Sequence, residues 1–475
     1  MIKRFLAARV FTASALTLLT ALGVALFPAQ SLAQASGAKP KRLLVVTVTM
    51  GFHHSSVTTA DKVLAELGEK SGLYTLDYVR SGARPKPGTP EEAAWIEQVK
   101  KDLAAKMSPE ALKNYDGVIF ASTTGDLPLP DNDAFIAWVK SGKAFIGIHA
   151  AADTFHGYPP YIEMLGAEFK THGAQVKIEA LNQDPKHPAT SKIGKSYIVT
   201  DEIYQFLNFH RESVHGLLTM DKHPNTGMPG DYPVAWCKQF GEGRVFYTSL
   251  GHREDVWAAP VYQDHVLGGI KWALGLAQGD ATPQGTRAEL PADEAQAGFR
   301  LLFDGEDLKG WRLRDADGKQ TWSAQNGMLV NVIPPGGHGI DLVSAENFKD
   351  FVVRYEYMIP KNSNSGFYLH GRHEIQIIDD LDSGQPTPGG NGAIYQLAAV
   401  SQFVSRKPGE WQTVEATMKG NRVSVILNGV KVHDNVLVDR ATGGELDTNV
   451  NDPGPFMLQG DHGTVAFRNI RVKTL

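Results

Sequence analysis

Residues Ser365–Asp380 read SGFYLHGRHEIQIIDD. Taken as one extended run, Tyr368, His370, Arg372, Glu374 and Gln376 share one parity while Phe367, Leu369, Ile375 and Ile377 share the other. Successive side chains on a strand point to opposite faces, so this is a strand with one apolar and one polar side. The polar side holds a phenol, an imidazole, a guanidinium, a carboxyl and an amide, and no lysine, the residue that plain solvated strands favour. Gly371 provides a second register, in which a turn or bulge puts Tyr368 and His370 on one strand and Glu374 and Gln376 on its neighbour. Both registers keep the polar groups together.

Outward from this stretch the second half of the chain is a series of short β-rich runs, among them FVVRYEYMI from Phe351, WQTVEATMKGNRVSVILNGVKV from Trp411 and GTVAFRNIRVKTL from Gly463. GN and NGV within them mark hairpin turns, and no helix of useful length intervenes, which predicts an antiparallel β-sandwich over residues 298–475. Residues 41–277 follow a different pattern: RLLVVTVT, YTLDYV, DGVIFAS and KAFIGIH are continuously apolar and alternate with amphipathic helical segments. Such strands are covered on both faces, so the first half is predicted to be a doubly wound α/β domain with a parallel sheet. Residues 278–297 are polar and rich in Gly, Pro and Ala, as suits an exposed linker.

The N-terminus carries Lys3, Arg4 and Arg9, then VFTASALTLLTALGVALF, then PAQSLAQA with small residues suited to signal peptidase. This predicts a signal peptide over residues 1–35, cleaved after Ala33 or Ala35, and a periplasmic or secreted protein; the alternative is an uncleaved anchor, since the apolar stretch approaches membrane-spanning length. No later segment is apolar enough to span a membrane, so stable insertion is not expected after cleavage. Removal of the three leader cations takes the formal charge from −5 to about −8, which argues against nucleic-acid or anionic-membrane partners. Cys237 is the single cysteine, so no disulfide forms within the chain, and its apolar surroundings predict a buried thiol. Trp311, Trp322 and Trp411 are read as core anchors rather than sugar platforms.

In open α/β sheets, ligands lie beyond the carboxyl ends of the strands. The residues there are His53 and His54 after the first strand, Asp126 after the third, His149 and Asp153 after the fourth, and His252 and Glu254 after a later one. Imidazoles with carboxylates on one rim suit a divalent metal, though no cofactor follows with certainty, because the same groups cap helices, bond loop carbonyls or bind sugar hydroxyls. The motifs GFHHSS, FIGIHAAADTF, HPAT with DEIYQF, and GEGRVFYTSLGH occur in an order that resembles the trehalose-utilisation (ThuA-like) domain, a relative of class I glutamine amidotransferases. The resemblance implies a glutamine-amidotransferase-like, flavodoxin-like fold. His149 stands where those relatives keep a nucleophilic cysteine, so thiol chemistry is not expected there. Whether this domain is catalytic, regulatory or sugar-binding is left open.

The second half, through LFDGEDLKGW, NSGFYLHGRHEIQIID, GAIY, KPGEWQTVEATMKGNRVSVILNGV and DHGTVAFRNIRVKTL, resembles the 3-keto-disaccharide hydrolase family. That resemblance implies a concanavalin-like jelly roll and hydrolytic action on a small sugar or glycoside oxidised at C3. A ketone at C3 acidifies the C2 hydrogen, so one base suffices for elimination followed by hydration, with direct glycosidic hydrolysis as the other route. On this reading Glu374 is the acid/base, Arg372 and His370 stabilise the enolate, and His462 is a second proton-transfer group. Tyr368, Gln376, Asn364, Gln396 and Asp379 are the positioning candidates. Two alternatives stand beside it. A laminarinase-like glycoside hydrolase shares the fold but needs two carboxyl groups about 5 Å apart, which Glu374 and Asp379 supply only if a bulge corrects their opposite parity. A non-catalytic carbohydrate-binding protein also suits a jelly roll, because fold alone does not decide function.

Overall fold

Two interleaved sets of apolar residues organise the first domain. Leu43, Val45, Ile119 and Ile146 join one core with residues of helices Val57–Ser71 and Pro260–Ala273, while Leu44, Val46, Val118, Phe120 and Phe145 join another with helices Pro90–Met107 and Asn132–Lys140. Alternate strand residues thus feed opposite faces, both covered, as the continuously apolar strands require. The helix limits are written locally. Pro90 begins a helix whose N-cap Thr89 accepts from the Glu92 N–H, Asp131 accepts from the Ala134 N–H, and Gly72 closes Val57–Ser71 at φ 65°. A side-chain cap of this kind contributes about 1 kcal/mol. This computed structural model describes residues 39–475 apart from 285–287 and 335, so the leader-peptide reading of residues 1–35 lies outside the described residues.

The strands of this domain, in chain order, are β1 (Lys41–Thr47), β2 (Tyr74–Arg80), β3 (Gly117–Ala121), β4 (Ala144–Ile148), β5 (Glu168–His172), β6 (Val176–Asn182), β7 (Ser196–Asp201), β8 (Tyr204–Leu207), β9 (His215–Lys222), β10 (Pro229–Phe240) and β11 (Gly243–Thr248). The main sheet has the order β2-β1-β3-β4-β11-β10-β9-β6-β7, and β5 pairs with β8 apart from it. Pairings from β2 to β11 are parallel, but β11, β10, β9, β6 and β7 pair antiparallel to one another. The expected parallel sheet is therefore only half of a mixed sheet. A hairpin turning at Gly241 (φ 60°) joins β10 to β11 and reverses the direction. The alternation in β6, with Lys177 and Glu179 exposed and Ile178 and Ala180 buried, is how a sheet wet on one side reads.

The second domain is a sandwich of two antiparallel sheets. One has five strands in the order Trp311–Leu313, Leu342–Ser344, Met457–Leu458, Asn364–Leu369, His373–Ile378. The larger sheet runs through Val465–Thr474, Phe351–Met358, Gln412–Lys419 and Arg422–Leu427. Phe367, Leu369, Ile375 and Ile377 face Val353, Tyr355, Val414 and Ala416 across one core, where the Tyr355 and Phe367 rings stack at 3.9 Å. Trp311 and Trp322 belong to this core. Trp411 does not: it is half-buried where the two domains meet, donating to Asp221 at 2.6 Å beneath the Arg468 guanidinium. The stretch between the domains is also more fastened than its composition predicts. It forms a short helix, Ala292–Gln296, whose Glu294 pairs with Arg354 and Arg471, and the Thr282 carbonyl accepts from His215. Residues Pro40–Leu475 group as one compact unit, and among the described residues no helix is long and apolar enough to cross a membrane.

Candidate functional site

The opening stretch is a hairpin. Asn364–Leu369 pairs with His373–Ile378, and the chain turns through His370 (φ 55°) and Gly371 (φ 66°), closed by the Arg372 N–H on the Leu369 carbonyl. The single extended run is thereby excluded and the second register holds. Tyr368 faces Glu374 across the strands, and Gly366 faces Gln376. Glu374 leans diagonally over Gly366: a methyl group there would collide with its carboxyl oxygen, so the glycine makes the room that the carboxyl occupies.

Glu374 is 2% exposed. The Tyr368 hydroxyl lies 3.0 Å from its Oε2 and 3.0 Å from the Gly443 carbonyl, one proton facing two acceptors, while Gln459 donates to the same hydroxyl at 3.4 Å. Thr442 accepts the Glu374 N–H at 2.9 Å and fixes the covering loop. Burial pushes the Glu374 carboxyl up to about 7, against the hydrogen bond from Tyr368 and the charge of His462, with Asp341 and Asp461 adding repulsion. The same burial and the Glu374 charge raise the Tyr368 phenol. Asp341 and Asp461, whose charges act on Glu374, line a hollow of about 500 Å³ together with Arg314, Asp315, Gly339 and Ile340, within the range of small-molecule sites. A larger groove of about 700 Å³ lies at the domain junction, lined by Lys177, Asp221, Lys222, Trp411 and others. Volume favours the groove, and neither lining includes Glu374; but Asp341 and Asp461 of the smaller hollow act on the Glu374 carboxyl, and a carboxyl perturbed by burial is the stronger sign of chemistry.

The structure brings Glu374, Tyr368 and His462 into one neighbourhood and sends other candidates elsewhere. Arg372 is turned to Asp447, at 2.6 and 3.0 Å, and to the Asp452 carbonyl at 2.8 Å, because the turn carries its side chain off the end of the hairpin. His370 donates to the Lys349 carbonyl at 2.9 Å with its ring against Phe351, a packing role. Asp379 accepts the Asn362 N–H at 2.8 Å at the far end of the strand. Gln376 folds back so that its Oε1 accepts the Ile377 N–H, Asn364 keeps an unpartnered buried Oδ1, and Gln396 sits exposed on a loop. His462 is half exposed and bonds Asp461 at 2.5 Å. Sequence reasoning missed Asp341, Gln459, Asp461 and Arg314; Asp461 stands beside His462 in QGDHGTV, and the others lie one residue beyond the ends of strands whose partners only the fold reveals.

In the first domain three of the seven candidates converge. His54 follows β1, His149 follows β4 and His252 follows β11. His54 Nε2 lies 3.2 Å from His149 Nε2, and His252 Nδ1 lies 3.3 Å from the same atom. Glu202, unforeseen although it stands in the quoted DEIYQF directly after β7, places Oε2 3.2 Å from His252 Nδ1 and 3.8 Å from His149 Nε2. Its Oε1 meets His172 at 3.1 Å. Burial lowers His149 well below the ordinary imidazole range and His54 to about 4, so both are neutral. The hydrogen bond that His252 donates to the Glu202 carboxylate raises His252. The remaining candidates have other partners or positions: His53 bonds Thr49, Asp153 pairs with His156 at 2.6 Å, Glu254 accepts from Ser55 on the surface, and Asp126 is exposed. Asp153 still lies close enough to influence Tyr204. Cys237 is buried on β10, and its thiol is pushed up by burial, so it is no nucleophile.

Comparison with known proteins follows the same division. Residues 42–273 match the family model ThuA, described as trehalose utilisation, and residues 298–473 match the 3-keto-alpha-glucoside-1,2-lyase-like domain. A curated relative, the 3-keto-disaccharide hydrolase of Bacteroides thetaiotaomicron, is 25% identical over 39% of this chain and 81% of its own length. Among solved structures, a glycosyl hydrolase candidate from Parabacteroides distasonis is 23% identical with a TM-score of 0.35, covering 40% of this chain and 99% of its own. A ThuA-like candidate from Parabacteroides merdae is 20% identical with a TM-score of 0.41, covering 54% of this chain and 94% of its own. The chain therefore joins a ThuA-like α/β domain to a 3-keto-disaccharide hydrolase-like β-sandwich, in that order.

Proposed function

We propose that the second domain cleaves small glycosides oxidised at C3, with Glu374 as its acid/base. The observation that carries this reading is a carboxyl held near 7 by burial, acted on by the charges of Asp341 and Asp461, which line a hollow of sugar size. A carboxyl at its ordinary value is almost wholly ionised at neutral pH and returns protons poorly, whereas one near 7 both takes and gives them. Glu374 takes the C2 proton, and the C–H electrons pass to the C3 oxygen as an enolate. The carbonyl then re-forms, the C1–O bond breaks and the leaving oxygen acquires a proton. Water adds at C1 of the resulting enone, which completes a net hydrolysis. Tyr368 donates to the ionised form of Glu374 and turns its proton to Gly443 when Glu374 is protonated. His462, on the open side, supplies the leaving-group proton. Arg314, at the hollow and bonded to Asp341 at 3.0 Å, replaces Arg372 as the cation near the enolate.

Asp379 is committed to the Asn362 N–H, which weighs against a glucanase pairing it with Glu374. The cationic and apolar leader supports export, with action in the periplasm or outside the cell, and the acidic net charge favours a neutral sugar over nucleic acid. The test is to incubate the full chain with 3-keto-trehalose, trehalose and a β-1,3-glucan and to follow release of reducing sugar. Release from the oxidised disaccharide alone is expected. Release from trehalose or glucan establishes an ordinary glycosidase, and binding without release establishes a lectin.

A further inference from the structure

We propose that His54, His149, His252 and Glu202 hold a divalent metal ion of the zinc class at the C-terminal end of the parallel strands in the first domain. The four ligand atoms come from four separate segments and all lie within 4.8 Å of one another. A tetrahedral zinc with ligands at about 2.0–2.1 Å has edges of about 3.3 Å between them. The observed separations are 3.2 Å (His54 to His149), 3.3 Å (His149 to His252), 3.2 Å (His252 to Glu202) and 3.8 Å (His149 to Glu202), close to four such edges.

Proton placement makes the same point. His149 Nδ1 sits 2.7 Å from the Ser249 carbonyl, which only accepts, so the ring proton is on Nδ1 and the lone pair of Nε2 points into the group. An imidazole held in this way by a backbone carbonyl is prepared as a ligand. Two further imidazole nitrogens crowd that lone pair, and only one of them can donate to it. His54 is 4% exposed and its Nδ1 has no partner. A proton on Nε2 leaves the buried Nδ1 lone pair unsatisfied. A proton on Nδ1 leaves a buried N–H unsatisfied and sets two lone pairs against each other. A cation between the nitrogens relieves that opposition. Glu202 supplies negative charge, and His172, bonded to its other oxygen, orients it. His149 is wholly buried, with the Tyr204 ring packed at 4.5 Å, while the His252 side chain is 19% exposed, so the group opens on one side. That opening admits an oxygen ligand, water or a sugar hydroxyl or carbonyl.

The full chain is stripped with chelator and titrated with Zn2+ by calorimetry, and separately loaded with Co2+ for absorption spectroscopy. About one ion per chain, with the intense d–d bands of a four- or five-coordinate Co2+ site, is expected. His54→Gln and Glu202→Gln should each weaken Zn2+ binding by about 100-fold or more while circular dichroism is retained, and His156→Gln, outside the group, should not. Absence of binding to the wild-type chain, a weak octahedral Co2+ spectrum, or affinity unchanged in both folded variants overturns the proposal. If a variant misfolds, the wild-type stoichiometry and Co2+ spectrum still decide.

Discussion

Glu374→Gln tests the buried carboxyl without needing a substrate. In the folded protein this group ionises near 7 rather than at the ordinary 4.5. Between those values the native state keeps a proton that the unfolded chain has lost, so stability falls as pH rises, at about 1.4 kcal/mol per pH unit. Across the whole window the loss is about 3 kcal/mol, present in full above pH 7 and absent below 4.5. Glutamine has nearly the same shape and cannot ionise. The variant should therefore match the wild type within about 1 kcal/mol near pH 4.5 and exceed it by about 3 kcal/mol at pH 8. Equilibrium urea unfolding at several pH values, followed by ellipticity, provides the measurement, and the difference between the proteins cancels every other titrating group. Parallel pH profiles for the two would refute the reasoning, because they would mean that Glu374 ionises normally and is neither dry nor tuned.

Gly366→Ala should abolish turnover in a folded protein, since the added methyl displaces the Glu374 carboxyl; activity and circular dichroism measured together check it. Tyr368→Phe removes a hydrogen bond that favours the ionised carboxyl, so the acidic limb of the pH–rate profile, where Glu374 must lose its proton to act as base, should move up in pH, with kcat falling about tenfold. Arg372→Gln should lower the unfolding free energy by about 2 kcal/mol, after allowing for the exposure of Asp447, through loss of the pair with Asp447 and the bond to the Asp452 carbonyl, read as a lower melting temperature. The folded fraction should keep its kcat, and a folded Arg372→Gln enzyme with kcat lost would return Arg372 to the chemistry. His462→Gln should slow substrates with poor leaving groups more than those with activated ones, read from paired kcat values.

Much of this was legible because periodicity reports burial. The continuously apolar KAFIGIH and the alternating FVVRYEYMI announced a two-faced sheet and a half-wet sheet, and the structure has both. What failed was direction. Runs of strand residues do not say whether the neighbour is parallel, so the antiparallel half of the first sheet went unseen. In the candidate site, cross-strand partners close in sequence, Tyr368 and Glu374, were readable through a single turn. Arg372 and His370 looked like companions by parity, but the turn at His370 and Gly371 resets the geometry, and parity cannot be carried through positive φ. Gln459, which bonds Tyr368, and Asp341, whose charge acts on Glu374, come near only by strand order within the five-stranded sheet. Glu202 stood in plain view at the end of a strand, where an open α/β sheet keeps its chemistry, but its strand lies in the antiparallel half that periodicity did not reveal.

The most direct test of the account compares wild type and Glu374→Gln on 3-keto-trehalose, measuring both product release and substrate binding. The expected result is turnover reduced by about a thousandfold or more in the variant, with binding affinity within about tenfold of the wild type. A variant that still releases glucose at the wild-type rate would contradict it.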